Sequence, residues 1–229
     1  MREIVLDTET TGFDADKDDR IVEIGALELV NHLPTGRTYH QYIDPERFMP
    51  QEAFEVHGLG DDFLRGKPKF AEVAKAFIDF IGNDSRLVIH NASFDMKFLN
   101  AELRRAGHAT LPMSRALDTV ALAREKFPGS PASLDALCRR FGIDNSNRTL
   151  HGALLDSELL AEVYLELIGG RQPTMTLVAA GAGETRADGS WSPRPRSVPL
   201  AARITPEEIA AHERFVESLG PAALWRRGA

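Results

Sequence analysis

Ile4-Val5-Leu6-Asp7-Thr8-Glu9-Thr10-Thr11-Gly12 is a short apolar run that ends in two acids one residue apart. Side chains on an extended strand alternate, so Asp7 and Glu9 project from one face with Cα atoms roughly 6.6 Å apart. Two divalent cations held ~3.5–4 Å apart need oxygen ligands converging from several elements, and a rigid strand end supplies the first two. An isolated acid-x-acid pair is more often a solvated strand end. The weight of this stretch therefore depends on partners elsewhere in the chain.

The chain has 229 residues, 43% of them hydrophobic, enough for one well-buried domain with length to spare. Cys138 is the single cysteine, so no internal disulfide can form, and it reads as a small core residue. No apolar stretch of about 18 residues or secretory core appears, so a cytoplasmic protein with no membrane span is expected. The net charge of −7 argues against a simple electrostatic nucleic-acid binder. Residues 1–170 carry 19 Lys+Arg against 28 Asp+Glu, and residues 171–229 carry 8 against 6. An acidic domain that handles phosphates needs cations as intermediaries.

Outward from the first strand, Asp14-Ala15-Asp16-Lys17-Asp18-Asp19 reads as a solvated turn. Ile21–Val30 and Arg37–Ile43 read as strands two and three, joined by a polar turn with Pro34 and Gly36, which together make an antiparallel meander. Pro50–Gly58 suggests a short helix. Phe70, Val73, Ala74, Phe77, Ile78 and Ile81 fall at helical spacing before Gly82. Leu87–His90 is a compact strand that runs into Asn91-Ala92-Ser93-Phe94-Asp95. A helix opens there and puts Asp95 in its first turn, where the helix dipole favours a carboxylate. Further helices are expected over Thr119–Lys126 and Leu134–Phe141, with a weak fifth-strand candidate at Ala116–Asp118. The last helix of the domain follows His151-Gly152 and carries Leu155, Leu159, Leu160, Val163 and Leu167 until Gly169-Gly170. Asp156 borders that stripe, which is uncommon for a carboxylate unless it is paired or metal-bound. A lone loop histidine such as His151 is more often a surface residue.

Asp7-x-Glu9 after an apolar strand, Asn91–Asp95 at a strand-to-helix junction and His151-x4-Asp156 entering a helix resemble, in order and context, the three motifs of the DEDDh exonuclease family. Asp7–Gly12, Val56-His57-Gly58, Ser133–Cys138 and Arg148–Asp156 resemble more narrowly the epsilon-type proofreading subunits of bacterial DNA polymerase III. The resemblance implies an α/β, RNase H-like fold, a mixed five-stranded sheet flanked by helices, with a flexible C-terminal tail. It also implies 3′–5′ hydrolysis of the terminal phosphodiester with two Mg²⁺ or Mn²⁺ ions and release of 5′-mononucleotides. Asp7 would bridge both ions, Glu9 and Asp156 would hold the ion that activates water, and Asp95 would position the second ion. His151 would be the general base.

Thr10, Phe13 and His57 are the family's candidates for lining the slot of the 3′-terminal nucleotides. Phe13 either stacks on a base or folds back on the core, two readings of similar weight. No strong basic groove or aromatic array is evident, so delivery of a frayed DNA 3′ end by a polymerase is expected.

The composition changes after Gly170. Gln172-Pro173-Thr174-Met175-Thr176-Leu177 resembles a sliding-clamp-binding peptide, with Gln172 in a polar site and Met175 and Leu177 in an apolar cleft. Residues 179–204, rich in Gly, Ala, Pro, Ser and Arg, read as a flexible linker. Thr205-Pro206-Glu207-Glu208 is a capping box that opens a helix with Ile209, Val216 and Leu219 on one side. With Leu224 and Trp225, this segment of residues 205–229 reads as an anchor on the polymerase alpha subunit. The family's third partner is a small accessory subunit on the nuclease domain, residues 1–170. Two rival readings are an RNA-trimming exonuclease and a module that mainly bridges polymerase and clamp.

Overall fold

The computed structural model describes residues 1–148, 150–170 and 204–220, and the backbone of 183–185 and 191–193. Five strands form one sheet: β1 (Arg2–Thr10), β2 (Ile21–Val30), β3 (Leu33–Tyr42), β4 (Arg86–Ile89) and β5 (Ala116–Asp118), in the order β3-β2-β1-β4-β5. The first three pair antiparallel, while β4 and β5 run parallel to β1. The sheet is therefore mixed, and the weak fifth strand is real.

The alternation of β1 sorts the core into two layers. Ile4 and Leu6 pack with α3 (Phe70–Ile81) and α4 (Ala92–Arg105) on one face. Val5 packs on the other with α6 (Leu134–Phe141) and α7 (Ala153–Leu167). Both faces are covered, which explains why β2 is buried over nearly its whole length. The short helices α1 (Gln51–His57) and α2 (Asp61–Leu64) lie between β3 and α3 in the chain, and α5 (Thr119–Lys126) follows β5. Gly58 ends α1 in the left-handed conformation at φ 73°. Cys138 is fully buried.

Two expectations are corrected. The hairpin between β2 and β3 turns at Asn31 and His32, both at positive φ (51° and 66°), so β3 begins at Leu33 and Pro34 and Gly36 lie inside it. Two consecutive left-handed residues match the twist of a tight hairpin, and asparagine tolerates that conformation. The acidic loop is a turn exposed at Asp16, Lys17 and Asp18, as expected, but it is not solvated throughout. Asp19 accepts hydrogen bonds from the Thr11 hydroxyl and the Asp14 N–H and pairs with Arg47, while Ala15 is fully buried. Within residues 179–204, expected to be linker, the structure describes one short element. Gly183–Thr185 (β6) pairs antiparallel with Trp191–Pro193 (β7) in a two-stranded ribbon, because backbone pairing between extended triplets needs no apolar core.

The chain divides into two compact units, Met1–Thr174 and Met175–Ala229. In the second, α8 (Pro206–Ser218) starts at the expected capping box, with Thr205 accepting from the Glu208 N–H and Glu208 accepting from the Thr205 N–H. On this helix Ile209 is exposed and Val216 is buried. Gln172, Met175, Leu177, Leu224 and Trp225 lie outside the described residues. Among the described residues, no helix is long and apolar enough to cross a membrane.

Candidate active site

The C-terminal end of β1 is where the two layers meet. Asp7 and Glu9 stand on the face that packs against α7. That helix comes close because Gly25 sits opposite Asp7 on β2: a Cβ there would fall 2.2 Å from the Leu154 nitrogen. Two further contacts fix the start of α7. The Ser157 hydroxyl donates to the Gly25 carbonyl at 2.9 Å, and the Ala153 N–H donates to Glu23 at 3.1 Å. The first turn of α7 thus carries Asp156, 3% exposed, to Glu9. From the other side, α4 starts directly after β4. Its first turn brings Asp95, 2% exposed, to Thr8, whose hydroxyl donates to Asp95 Oδ1 at 2.8 Å. The β1–β2 register shifts between Glu9 and Thr10, a bulge of the kind that re-aims side chains at a strand end.

All five residues expected to carry the chemistry, Asp7, Glu9, Asp95, His151 and Asp156, line one cavity of about 630 Å³. Glu9, His151 and Asp156 each present a ligand atom within 4.8 Å of the others. Asp7 and Asp95 line the same cavity outside that trio. Glu9 Oε1 is buried and accepts no hydrogen bond from the chain.

Burial and mutual repulsion raise the carboxyls. Glu9 is pushed up to about 8 by burial, then by Asp156 and Glu23. Asp95 is pushed up to about 7, chiefly by burial. Asp7 is raised well above the carboxylate range by burial, then by Asp95, Glu9 and Asp156. Hard oxygen donors, one of them unpartnered, in a site crowded with negative charge suit divalent cations of the magnesium type.

The His151 ring is exposed at the cavity, and its Nδ1 lies 3.5 Å from Asp156. Burial, then the Arg148 guanidinium, pushes it below its ordinary 6.5, so the imidazole is neutral at pH 7.

Thr10, Phe13 and His57 line the cavity too. Phe13 is 82% exposed and meets Phe94 edge-on at 6.4 Å between centroids, so it is not folded back on the core. His57 is 5% exposed. Its Nδ1 accepts the Leu59 N–H at 3.0 Å, Nε2 has no hydrogen-bond partner, and burial keeps the ring neutral.

Sequence reasoning assigned no role to Arg148, Asp135, Phe94 or Gly25. Gly25 had a signal, since a glycine inside an apolar strand marks the close approach of another backbone. Arg148, three residues before His151, had none, because its partners come from two helices and a loop.

The RNase_T exonuclease family model matches residues 4–164. DNA polymerase III subunit epsilon of Rickettsia felis is 49% identical over 223 residues, covering 96% of this chain and 97% of that one. The Escherichia coli K12 protein of the same name is 46% identical over 240 residues, covering 98% and 97%. Among solved structures, the nuclease domain of 3′hExo, a DEDDh family member bound to rAMP, matches with a TM-score of 0.62 at 21% identity. It covers 73% of this chain and 91% of that one. Exonuclease X in complex with 5′ overhanging duplex DNA matches at 0.57 and 24%, covering 72% and 90%. At these identities the likeness to solved structures is one of fold, and the fold is RNase H-like. The family model and the full-length relatives together place the chain: it belongs to the exonuclease family, among the bacterial DNA polymerase III epsilon subunits.

Proposed function

We propose that this chain is a 3′–5′ exonuclease that proofreads for the replicative DNA polymerase, removing 5′-mononucleotides from a frayed DNA 3′ end. The observation that carries the reading is the convergence of Asp7, Glu9, Asp95, His151 and Asp156 on one cavity, with three of them presenting ligand atoms within 4.8 Å of one another. Asp7, Glu9, Asp95 and Asp156 would hold two divalent ions, Mg²⁺ or Mn²⁺, with Asp7 shared between them, Glu9 and Asp156 on the ion that activates water and Asp95 on the other. Bound there, such ions supply Lewis-acid activation of the attacking water and stabilise charge on the leaving oxygen.

The remaining work belongs to the chain. His151, neutral and at the cavity, takes the proton from water. Thr8 holds Asp95, and Gly25 with Ser157 holds the turn that carries Asp156. Phe13, with Phe94 at its edge, offers a face on which the terminal base stacks, worth about 1–3 kcal/mol per base. His57 and Thr10 form the wall beside it. Selectivity for mismatches comes from the lower cost of melting a mispaired end.

Residues 1–170 form the nuclease domain in this reading. Residues 171–178 contact the sliding clamp, 179–204 link, and 205–229 hold the polymerase alpha subunit, with a small accessory subunit on the nuclease domain. The sequence patterns and the full-length relatives support this division and a cytoplasmic site of action. The deciding experiment measures mononucleotide release from 3′-mismatched DNA, matched DNA and RNA, with Mg²⁺ or chelator, for wild type and Asp7→Ala. Metal-dependent release that is fastest on mismatched DNA and lost in the variant is expected. Preferential digestion of RNA would favour the RNA-trimming reading instead.

A further inference from the structure

Arg148 makes more contacts in the cavity than any assigned role explains. Its Nε donates to Asp156 Oδ1 at 2.5 Å and one terminal nitrogen to Asp156 Oδ2 at 2.7 Å, so both oxygens of that carboxylate are taken. The same terminal nitrogen lies 3.0 Å from His151 Nδ1 and 3.3 Å from Nε2, with the guanidinium against the imidazole. The other terminal nitrogen donates to Asp135 on α6 at 3.0 Å. The side chain is 8% exposed.

Two carboxylates, Asp156 and Asp135, thus share one guanidinium, which also rests against His151. A cation at 2.5–2.7 Å from both Asp156 oxygens repels any dication that would use the same atoms. It also faces the imidazole nitrogens that a general base needs free. Asp135, 48% exposed at the cavity edge, gives Arg148 a second anchor outside the acid cluster. A bidentate guanidinium–carboxylate pair is directional, so it holds the loop before α7 in one arrangement and releases it as a unit.

We propose that Arg148 is a positioning residue that serves as the resident counter-cation of the metal-free site. It latches Asp156 to His151 and gives up Asp156, keeping Asp135, when divalent ions load. The inference rests on the metal reading of the site given above. It makes metal loading a competition with the protein's own arginine, and it links loading to the freeing of His151.

The test is Mn²⁺ binding to the full chain, followed by electron paramagnetic resonance at neutral pH, for wild type, Arg148→Gln and Arg148→Lys. Competition predicts binding at least about tenfold tighter in Arg148→Gln, with Arg148→Lys in between because an ammonium cannot make the paired contact. Metal-free Arg148→Gln should also melt below metal-free wild type, and saturating Mn²⁺ should narrow that gap. Unchanged or weaker Mn²⁺ binding in Arg148→Gln would make Arg148 a scaffold for the ligands and overturn the exchange.

A second measurement needs no substitution. In wild type the Arg148 Nε–H resonance, protected by Asp156, should move and lose its exchange protection on saturation with Mg²⁺, and an unmoved signal overturns the proposal. Saturable Mn²⁺ binding with an unmoved Arg148 signal leaves the metal site standing and removes only the exchange. No saturable Mn²⁺ binding in wild type removes both.

Discussion

Two buried ionic clusters in the first unit have opposite charge balance. Glu102 on α4, 1% exposed, is enclosed by two arginines: Arg20 donates to both its oxygens at 2.6 and 2.9 Å, and Arg105 approaches at 3.4 Å. At the end of β1 four acids line one cavity, Arg148 pairs with Asp156 among them, and Glu9 keeps an oxygen with no partner. A buried charge must be paired or must find its counter-ion outside the chain. The first cluster is closed by the protein and acts as structure. The second is left open by it, as the proposed metal site requires.

Substitutions should sort along the same line. The largest effect expected is on catalysis: Asp7→Ala should lower mononucleotide release by on the order of 10⁴-fold, since several kcal/mol of charge stabilisation goes with the ions. Its metal-free melting temperature should hold or rise, because one of four repelling acids is gone. A large fall in thermal stability would mean that Asp7 is structural. Glu102→Ala should do the reverse, costing about 2 kcal/mol in urea unfolding by leaving the partly buried Arg20 with only the Pro45 carbonyl and the more distant Glu46. The folded fraction should keep its exonuclease rate. Gly25→Ala is expected to combine both effects, about 2 kcal/mol of stability with weakened Mn²⁺ binding, because the added methyl pushes α7 and Asp156 off the sheet.

The smallest effect is a pH dependence. Glu9 at about 8 and Asp95 at about 7 lie above their ordinary values of 4.5 and 3.8. Between roughly pH 4 and pH 8 the folded chain therefore holds protons that the unfolded chain has lost, and stability in chelator falls as pH rises across that window. Melting temperatures in chelator should decline by a few degrees from the acid to the alkaline end, and Mg²⁺ should flatten the slope. A slope of the opposite sign would mean that these acids are compensated within the chain.

Much of this was legible in the residues. Helices α3, α6 and α7 carry apolar residues at helical spacing, α6 between the caps Ser133 and Gly142, and their ends and those of α5 match the expected ones. The turn at Asn31-His32 was not legible, because Pro34 and Gly36 gave the stronger local punctuation while β2 pairing decided the outcome. The short β5 could only be a weak candidate, since three residues become a strand through pairing with β4 rather than by any pattern of their own. Phe13 allowed two readings until its ring was seen at the cavity rim against Phe94.

By itself, the sequence determined which residues are the candidates for the chemistry. Acids at strand and helix ends and a histidine before a helix are local placements, fixed by periodicity and capping over a few residues. Only the tertiary structure decided how they balance. It set the approach of α7 over Gly25, the placement of the Arg148 guanidinium between Asp156 and Asp135 and the raised proton affinities of Glu9 and Asp95. Desolvation and Coulomb interactions depend on distances between elements far apart in the chain, and no local pattern of residues encodes those distances.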